Sequence, residues 1–270
     1  MDSDRNIQLI KLGGSLITEK NTPRQPRREV IARLAQEIKS AWKQAYPLPL
    51  VIGHGSGSFG HIPAKKYQTR QGVHSPSDWL GFVEVWQEAR SLNQIVLNIF
   101  LDASIPVVSF PISASAISEH GVIKFWNLEP LKSALNAGLI PLVYGDVIFD
   151  KTQGGSIVST EEIFLYLSHH LPVSRILIAG IEQGVWSDFP KCQVVQPLIT
   201  PRNISAIHPA LFGSTSTDVT GGMVKKVNLM LEIIKENPAI EAVIYSGMIP
   251  DLTTQVLQGQ PAGTLIRYCE

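Results

Sequence analysis

The sequence predicts an α/β protein with a mostly parallel sheet covered by helices on both faces. Three observations carry that expectation. Short β-rich runs alternate with helical periodicities from one end of the chain to the other. Runs such as residues 106–110 and 140–144 read as strands buried on both faces. Glycine-rich turns follow strand signals at Gly13-Gly14 and again at Gly55 to Gly60.

The elements follow in order. Residues 7–12 form a β-rich run that stops at Gly13-Gly14, and residues 28–42 place Val30, Ile31, Leu34, Ala35, Ile38 and Trp42 at helical spacing. Leu50-Val51-Ile52 is the next strand, ending in a glycine loop. A long helix is expected over 77–103, started by Ser75-Pro76-Ser77-Asp78. Its aromatic stripe of Trp79, Phe82 and Trp86 reads as core packing, with one end of the helix available to line an apolar pocket. Residues 128–137 read as a helix closed by Gly138. Residues 150–155 form a turn. Thr160 then opens a helix with Glu161 and Glu162 in its first turn, where negative charge suits the helix dipole. Residues 175–179 are a strand and 181–215 are Pro-rich and irregular. Gly221-Gly222 opens a helix through about 236, and 242–245 and 264–268 are closing strands.

The chain has 270 residues, 44% hydrophobic and 17% charged, enough for one large α/β domain. It is read as one domain over 1–270, with an N-terminal lobe of about 1–172 and a C-terminal lobe of about 173–270. Lys and Arg balance Asp and Glu at 23 each, so no bulk basic field argues for nucleic acid. Two cysteines form no disulfide framework. No apolar stretch is long enough to span a bilayer, and the first residues have no signal layout. The expectation is a cytoplasmic protein without nucleic-acid or membrane partners.

Three glycine turns could hold phosphates, because such turns expose backbone N–H groups and allow close approach. They are Lys11-Leu12-Gly13-Gly14, the stretch Gly55-Ser56-Gly57-Ser58-Phe59-Gly60-His61, and Asp218-Val219-Thr220-Gly221-Gly222, which leads to Lys225 and Lys226. The second fits G-x-G-x-x-G, but no acidic residue follows at the end of a second strand, so a dinucleotide site is disfavoured. G-x-x-x-x-G-K-[ST] is absent, which excludes a P-loop.

These stretches resemble the isopentenyl phosphate kinases of the amino acid kinase superfamily. The likeness runs through "KLGGSLITEK", "HGSGSFGH", "PLVYGDVIFD", "GSTSTDVTGGMVKKV" and "YSGMIPDLTTQVLQGQPAGTLI", nearly the whole chain. It implies an open three-layer αβα sandwich, a homodimer, and transfer of the ATP γ-phosphoryl, with Mg2+, to an isoprenoid monophosphate. Lys11 would lie between donor and acceptor. Gly13, Gly14, Gly55 and Gly57 would turn amides to phosphate oxygens, with Ser56, Gly60 and Gly145 on the acceptor side. His61 would bind and orient the acceptor phosphate. Lys20 would reach the transferred group, and Asp146 would orient Lys11 or the metal shell. Gly180, Gly221, Gly222 and Lys226 would serve the nucleotide.

Three departures from the resembled pattern stand out. Ala179-Gly180 replace a Thr-Asp pair, with Glu182 near a second aspartate; Ser159-Thr160-Glu161-Glu162 replace S-G-D-D; and Ser56 replaces a glycine, which requires a negative φ there. The alternatives are a kinase for another phosphate or phosphonate, or a binding protein that has lost phosphoryl transfer.

Overall fold

The computed structural model describes residues 6–44, 48–205, 207 and 222–269. In chain order the elements are β1 (Ile7–Leu12), α1 (Gly14–Ile17), α2 (Arg28–Gln44), β2 (Leu50–His54), α3 (Gly57–Tyr67), α4 (Pro76–Asp102), β3 (Val107–Ser109), β4 (Ala116–Glu119) and β5 (Val122–Trp126). Then come α5 (Glu129–Asn136), β6 (Ile140–Tyr144), β7 (Asp146–Asp150), β8 (Gly154–Val158), α6 (Thr160–His170) and β9 (Val173–Gly180). The remainder is β10 (Leu198–Ile199), α7 (Gly222–Glu236), β11 (Glu241–Ser246), α8 (Leu252–Leu257) and β12 (Thr264–Ile266).

Eight strands form the main sheet in the order β10-β12-β11-β9-β1-β2-β6-β3. Every pairing is parallel except β11 with β12. β1 lies between β9 and β2, so strands from the first part of the chain continue to one side of it and those from residue 173 onward to the other. Alternate residues of each strand enter opposite cores. Leu9, Val51 and Ile176 join one cluster with Phe164 of α6 and Met230 of α7. Ile10, Ile52 and Leu177 join the other with Leu34 of α2 and Val96 of α4. This is the expected three-layer arrangement.

The helix starts are well specified. Ser75 and Asp78 form a reciprocal capping box at α4, and Ser159 and Glu162 do the same at α6. No described helix is long and apolar enough to cross a membrane.

A second sheet, β5-β4-β7-β8, is an addition to the sequence reading. Its β4–β5 turn is His120-Gly121, both at positive φ, the geometry that joins antiparallel strands in two residues. Val147 of β7 packs with Phe82 and Val85 of α4 in a small third core. The aromatic stripe therefore packs against this small sheet, not the main one, and Trp79 also meets Phe149 of β7.

Candidate active site

Parallel pairing brings three strand ends to one edge of the sheet. Leu12 is in register with His54 of β2 and with Ala179 of β9. Gly13 N donates to Ala179 O at 2.8 Å, and Gly55 N donates to Leu12 O at 3.2 Å, which ties the turn after β1 to both neighbours.

The first two glycine turns also lie against each other. A Cβ on Gly14 would stand 2.6 Å from Gly57 N. Gly57 has φ +50, and a Cβ there would overlap the Thr18 hydroxyl, so both positions require glycine. Thr18 completes the join: its Oγ1 donates to Gly14 O at 2.8 Å and accepts from Ser58 N at 2.9 Å. Ser56 has φ −74, which satisfies the requirement that its sequence position imposes.

Around these turns lies a cleft of about 850 Å³. Lys11 enters it from the end of β1, buried and ion-paired with Glu161 of α6. Lys226, in the first part of α7, lines the same cleft. Burial pushes the Glu161 carboxyl up, but the nearby Lys11 and Lys226 ammonium groups outweigh it and hold the group below the usual carboxylate range. Glu162 beside it accepts from Ser159 N at 2.7 Å and pairs with both Arg70 and Lys225. Two carboxylates thus organise four cations in and beside the cleft.

A second, smaller pocket, open to solvent, shares Ser56, His61, Gly145 and Ile157 with the cleft. Ala64 of α3, with Val85 and Ala89 of α4, makes its apolar wall, and Arg70 and Asp146 also line it. Asp146 is almost fully buried; it accepts from Ser113 Oγ at 2.7 Å and from Val147 N at 2.8 Å. Burial dominates over those bonds and lifts its carboxyl to about 7. His54, behind the loop, is structural: it is buried, stacked on Tyr144 and kept below its ordinary pKa by desolvation.

Residues 6–246 match the model of the amino acid kinase family. The chain belongs to that family. Among amino acid kinase family members, it is 31% identical to isopentenyl phosphate kinase of Methanocaldococcus jannaschii over 98% of this chain and 100% of the relative. It is 31% identical to the Haloferax volcanii isopentenyl phosphate kinase over 97% of this chain and 99% of that one. A solved isopentenyl phosphate kinase structure superposes with a TM-score of 0.81 at 27% identity, covering 97% of this chain and 100% of the other.

Within this amino acid kinase fold, the cleft brings together most residues singled out from the sequence. Lys11, Gly13, Gly14, Gly55, Ser56, Gly57, His61, Gly145, Gly180 and Lys226 all line it. Gly60 and Asp146 line the second cavity. Gly60 and His61 lie inside α3, not in a loop, and a Cβ on Gly60 would stand 2.7 Å from Ser56 Oγ. Lys20 is exposed in the turn after α1 and lines neither cavity. Gly222, at φ +62, is buried at the start of α7 and outside the cleft lining. Gly221 lies outside the described residues. Glu161 is a carboxylate paired with Lys11, a contact the sequence reading did not foresee when it offered Asp146 for orienting Lys11 or the metal shell. Thr18 and Arg70 were not foreseen, and the only local sign was Thr18's place four residues beyond Gly14. At the end of β9, where the sequence departs from the resembled pattern, Ala179 is buried in the core, while Gly180 and Glu182 line the cleft and Glu182 accepts from Trp186 Nε1 at 2.8 Å.

Proposed function

We propose that the protein transfers the γ-phosphoryl group of ATP to isopentenyl phosphate, giving isopentenyl diphosphate and ADP. One observation carries this reading: the histidine and glycine amides suited to a phosphate sit where the charged cleft meets a cavity walled by Ala64, Val85, Ala89 and Ile157. That pairing of an anion cradle with a small apolar chamber fits a short branched hydrocarbon carrying a phosphate.

The residues divide the work. The acceptor phosphate is already a nucleophile, so the protein need only align it and stabilise charge. An acceptor oxygen forms the new bond to the γ-phosphorus as the bond to the ADP oxygen breaks. His61, with the amides of Gly55 and Gly57, holds the acceptor. Lys11 stabilises charge on the transferred group, and Lys226 with Gly13 and Gly180 holds the nucleotide phosphates. Glu161 pairs with Lys11 and holds it in place beside Lys226. The N-terminal lobe serves the acceptor and the C-terminal lobe the nucleotide.

Magnesium fits this donor set as the ATP chelate. Among the described residues no three acidic, histidine or cysteine side chains cluster as a cage, and Mg2+ takes most of its ligands from water and substrate phosphates. When bound it neutralises phosphate charge. A homodimer in the cytoplasm belongs to the same reading; light scattering and cell fractionation test it.

The deciding assay is coupled ADP release with Mg-ATP and, in turn, isopentenyl phosphate, dimethylallyl phosphate and a short alkyl phosphate. Turnover is expected with the isoprenoid phosphates and collapses in His61→Ala. Turnover confined to a different phosphate or phosphonate would overturn the acceptor assignment. Absence of turnover with every acceptor, in a folded protein, would overturn the kinase assignment.

A further inference from the structure

Arg70 is an unusual wall for an apolar chamber. It lies in the short turn between α3 and α4 and lines the acceptor cavity with Ser56, Gly60 and His61. One guanidinium nitrogen, Nη2, donates to Glu162. The other, Nη1, is buried and has no partner among the described residues. A buried N–H without an acceptor is costly, so Nη1 has donor capacity to offer although the side chain as a whole is 30% exposed. The guanidinium fork suits phosphate oxygens, to which it presents parallel donors.

Glu162 fixes where that fork sits. Its carboxylate is held from three sides: by Ser159 N at the start of α6, by Arg70, and by Lys225 Nζ at 3.0 Å. Lys225 neighbours Lys226, which lines the cleft on α7. The carboxylate that aims Arg70 at the acceptor cavity is thus also anchored to the helix on the nucleotide side.

Resting on the activity proposed above, we infer that Arg70 is a further ligand of the acceptor's phosphate, and that Glu162 is the residue that positions it. The phosphate oxygen accepts from the Arg70 guanidinium, whose enclosed Nη1 turns to the cavity as the acceptor enters, adding a charged donor to those of His61 and the glycine amides. Glu162 acts only through Arg70 and touches no substrate.

The test compares wild type with Arg70→Gln, Arg70→Lys and Glu162→Asp, by steady-state kinetics and by calorimetric titration of isopentenyl phosphate. Arg70→Gln is expected to weaken acceptor binding and raise its KM by about tenfold or more, the size of a lost charge-assisted hydrogen bond. The KM for ATP should stay within about twofold, since the nucleotide contact is untouched. Arg70→Lys recovers part of the loss. Glu162→Asp keeps a carboxylate for the helix cap but shortens its reach, so the melting temperature holds while the acceptor KM rises. An acceptor KM within about twofold of wild type in Arg70→Gln would overturn the inference, as would equal rises in both KM values with a lower melting temperature, the mark of a structural role. If wild type turns over no isopentenyl phosphate, the activity proposed above fails. The same variants titrated with inorganic phosphate then decide the anion contact separately: weaker binding in Arg70→Gln supports it, and equal binding refutes it.

Discussion

Gly57→Ala tests whether the two glycine turns hold each other in place. A methyl at φ +50 puts an L-residue in the left-handed region, a cost of about 1–2 kcal/mol. The same methyl overlaps the Thr18 hydroxyl and stands 2.9 Å from Gly14 O. Thr18 must therefore turn away from Gly14 O and Ser58 N, forfeiting two hydrogen bonds worth about 1 kcal/mol each. The sum is about 3–4 kcal/mol, which for a chain of this size lowers the melting temperature by about 10 °C. If this turn cradles phosphate as proposed, activity should suffer more than stability, because a shift of about 1 Å in such a turn costs about 100-fold in rate. Calorimetry and the coupled ADP-release assay measure the two effects. Gly259→Ala is the control: φ is +91 and nothing lies within 4 Å of the added methyl, so it pays only the backbone cost and keeps its activity. A Gly57→Ala protein with kcat/KM within about threefold of wild type would refute the reasoning, as would an equal activity loss in Gly259→Ala.

The remaining predictions follow the same contacts. Thr18→Val keeps the shape but removes the hydroxyl, costing about 2 kcal/mol on unfolding and raising the acceptor KM, while Thr18→Ser stays near wild type; thermal melts and kinetics check both. Glu161→Gln removes the carboxylate paired with buried Lys11, and breaking such a pair costs about 3–5 kcal/mol. A non-hydrolysable ATP analogue should restore part of the lost melting temperature by supplying phosphate charge. Asp146 gives a pH signature. Its carboxyl is lifted to about 7 in the folded protein from an ordinary value of 3.8, so the native state holds a proton that the unfolded chain releases. Stability therefore falls as pH rises from about 4 to about 7, by roughly 4 kcal/mol in all, and is level above. Asp146→Asn should remove that slope in denaturant titrations between pH 4 and 8; an unchanged slope would show that the group does not titrate there.

The main sheet was legible because its strands are apolar runs ended by glycine turns. The residue runs around 7–12, 50–52, 140–144 and 175–179 all became core strands. α4 was legible from Ser75 and Asp78, whose spacing is that of a reciprocal cap. Lys11 was legible beside Gly13-Gly14 and His61 through the likeness of its S-F-G-H stretch to the isopentenyl phosphate kinases, and both line the cleft. What escaped was set by distance along the chain or by weak local signal. Glu161 pairs with Lys11 across 150 positions of sequence that only the sheet register spans. Residues 57–67 are helical despite two glycines and Pro63, because the packing of α3 on α4 overrides their poor propensity. The small sheet escaped because polar residues and glycines interrupt its strands, as with Ser118 and Glu119 in β4 and Gly154, Gly155 and Ser156 in β8.

The small sheet also bears on how such an enzyme changes its diet. β4 and β5 are an excursion of the connection between β3 and β6, and β7 and β8 are an excursion of the connection between β6 and β9. Between them they supply Asp146 and Ile157 to the acceptor chamber, yet none of the four is hydrogen-bonded into the main sheet. Much of both excursions is nonetheless buried: Ile123, Trp126, Ile148 and Val158 join the main core, while Val122, Phe125 and Phe149 are exposed. Substitution at the few chamber-lining positions can therefore reshape the chamber within limits set by that core, while Lys11 stays fixed at the sheet's centre. New acceptors are accessible to this scaffold by remodelling one appendage, with the phosphoryl-transfer apparatus inherited intact.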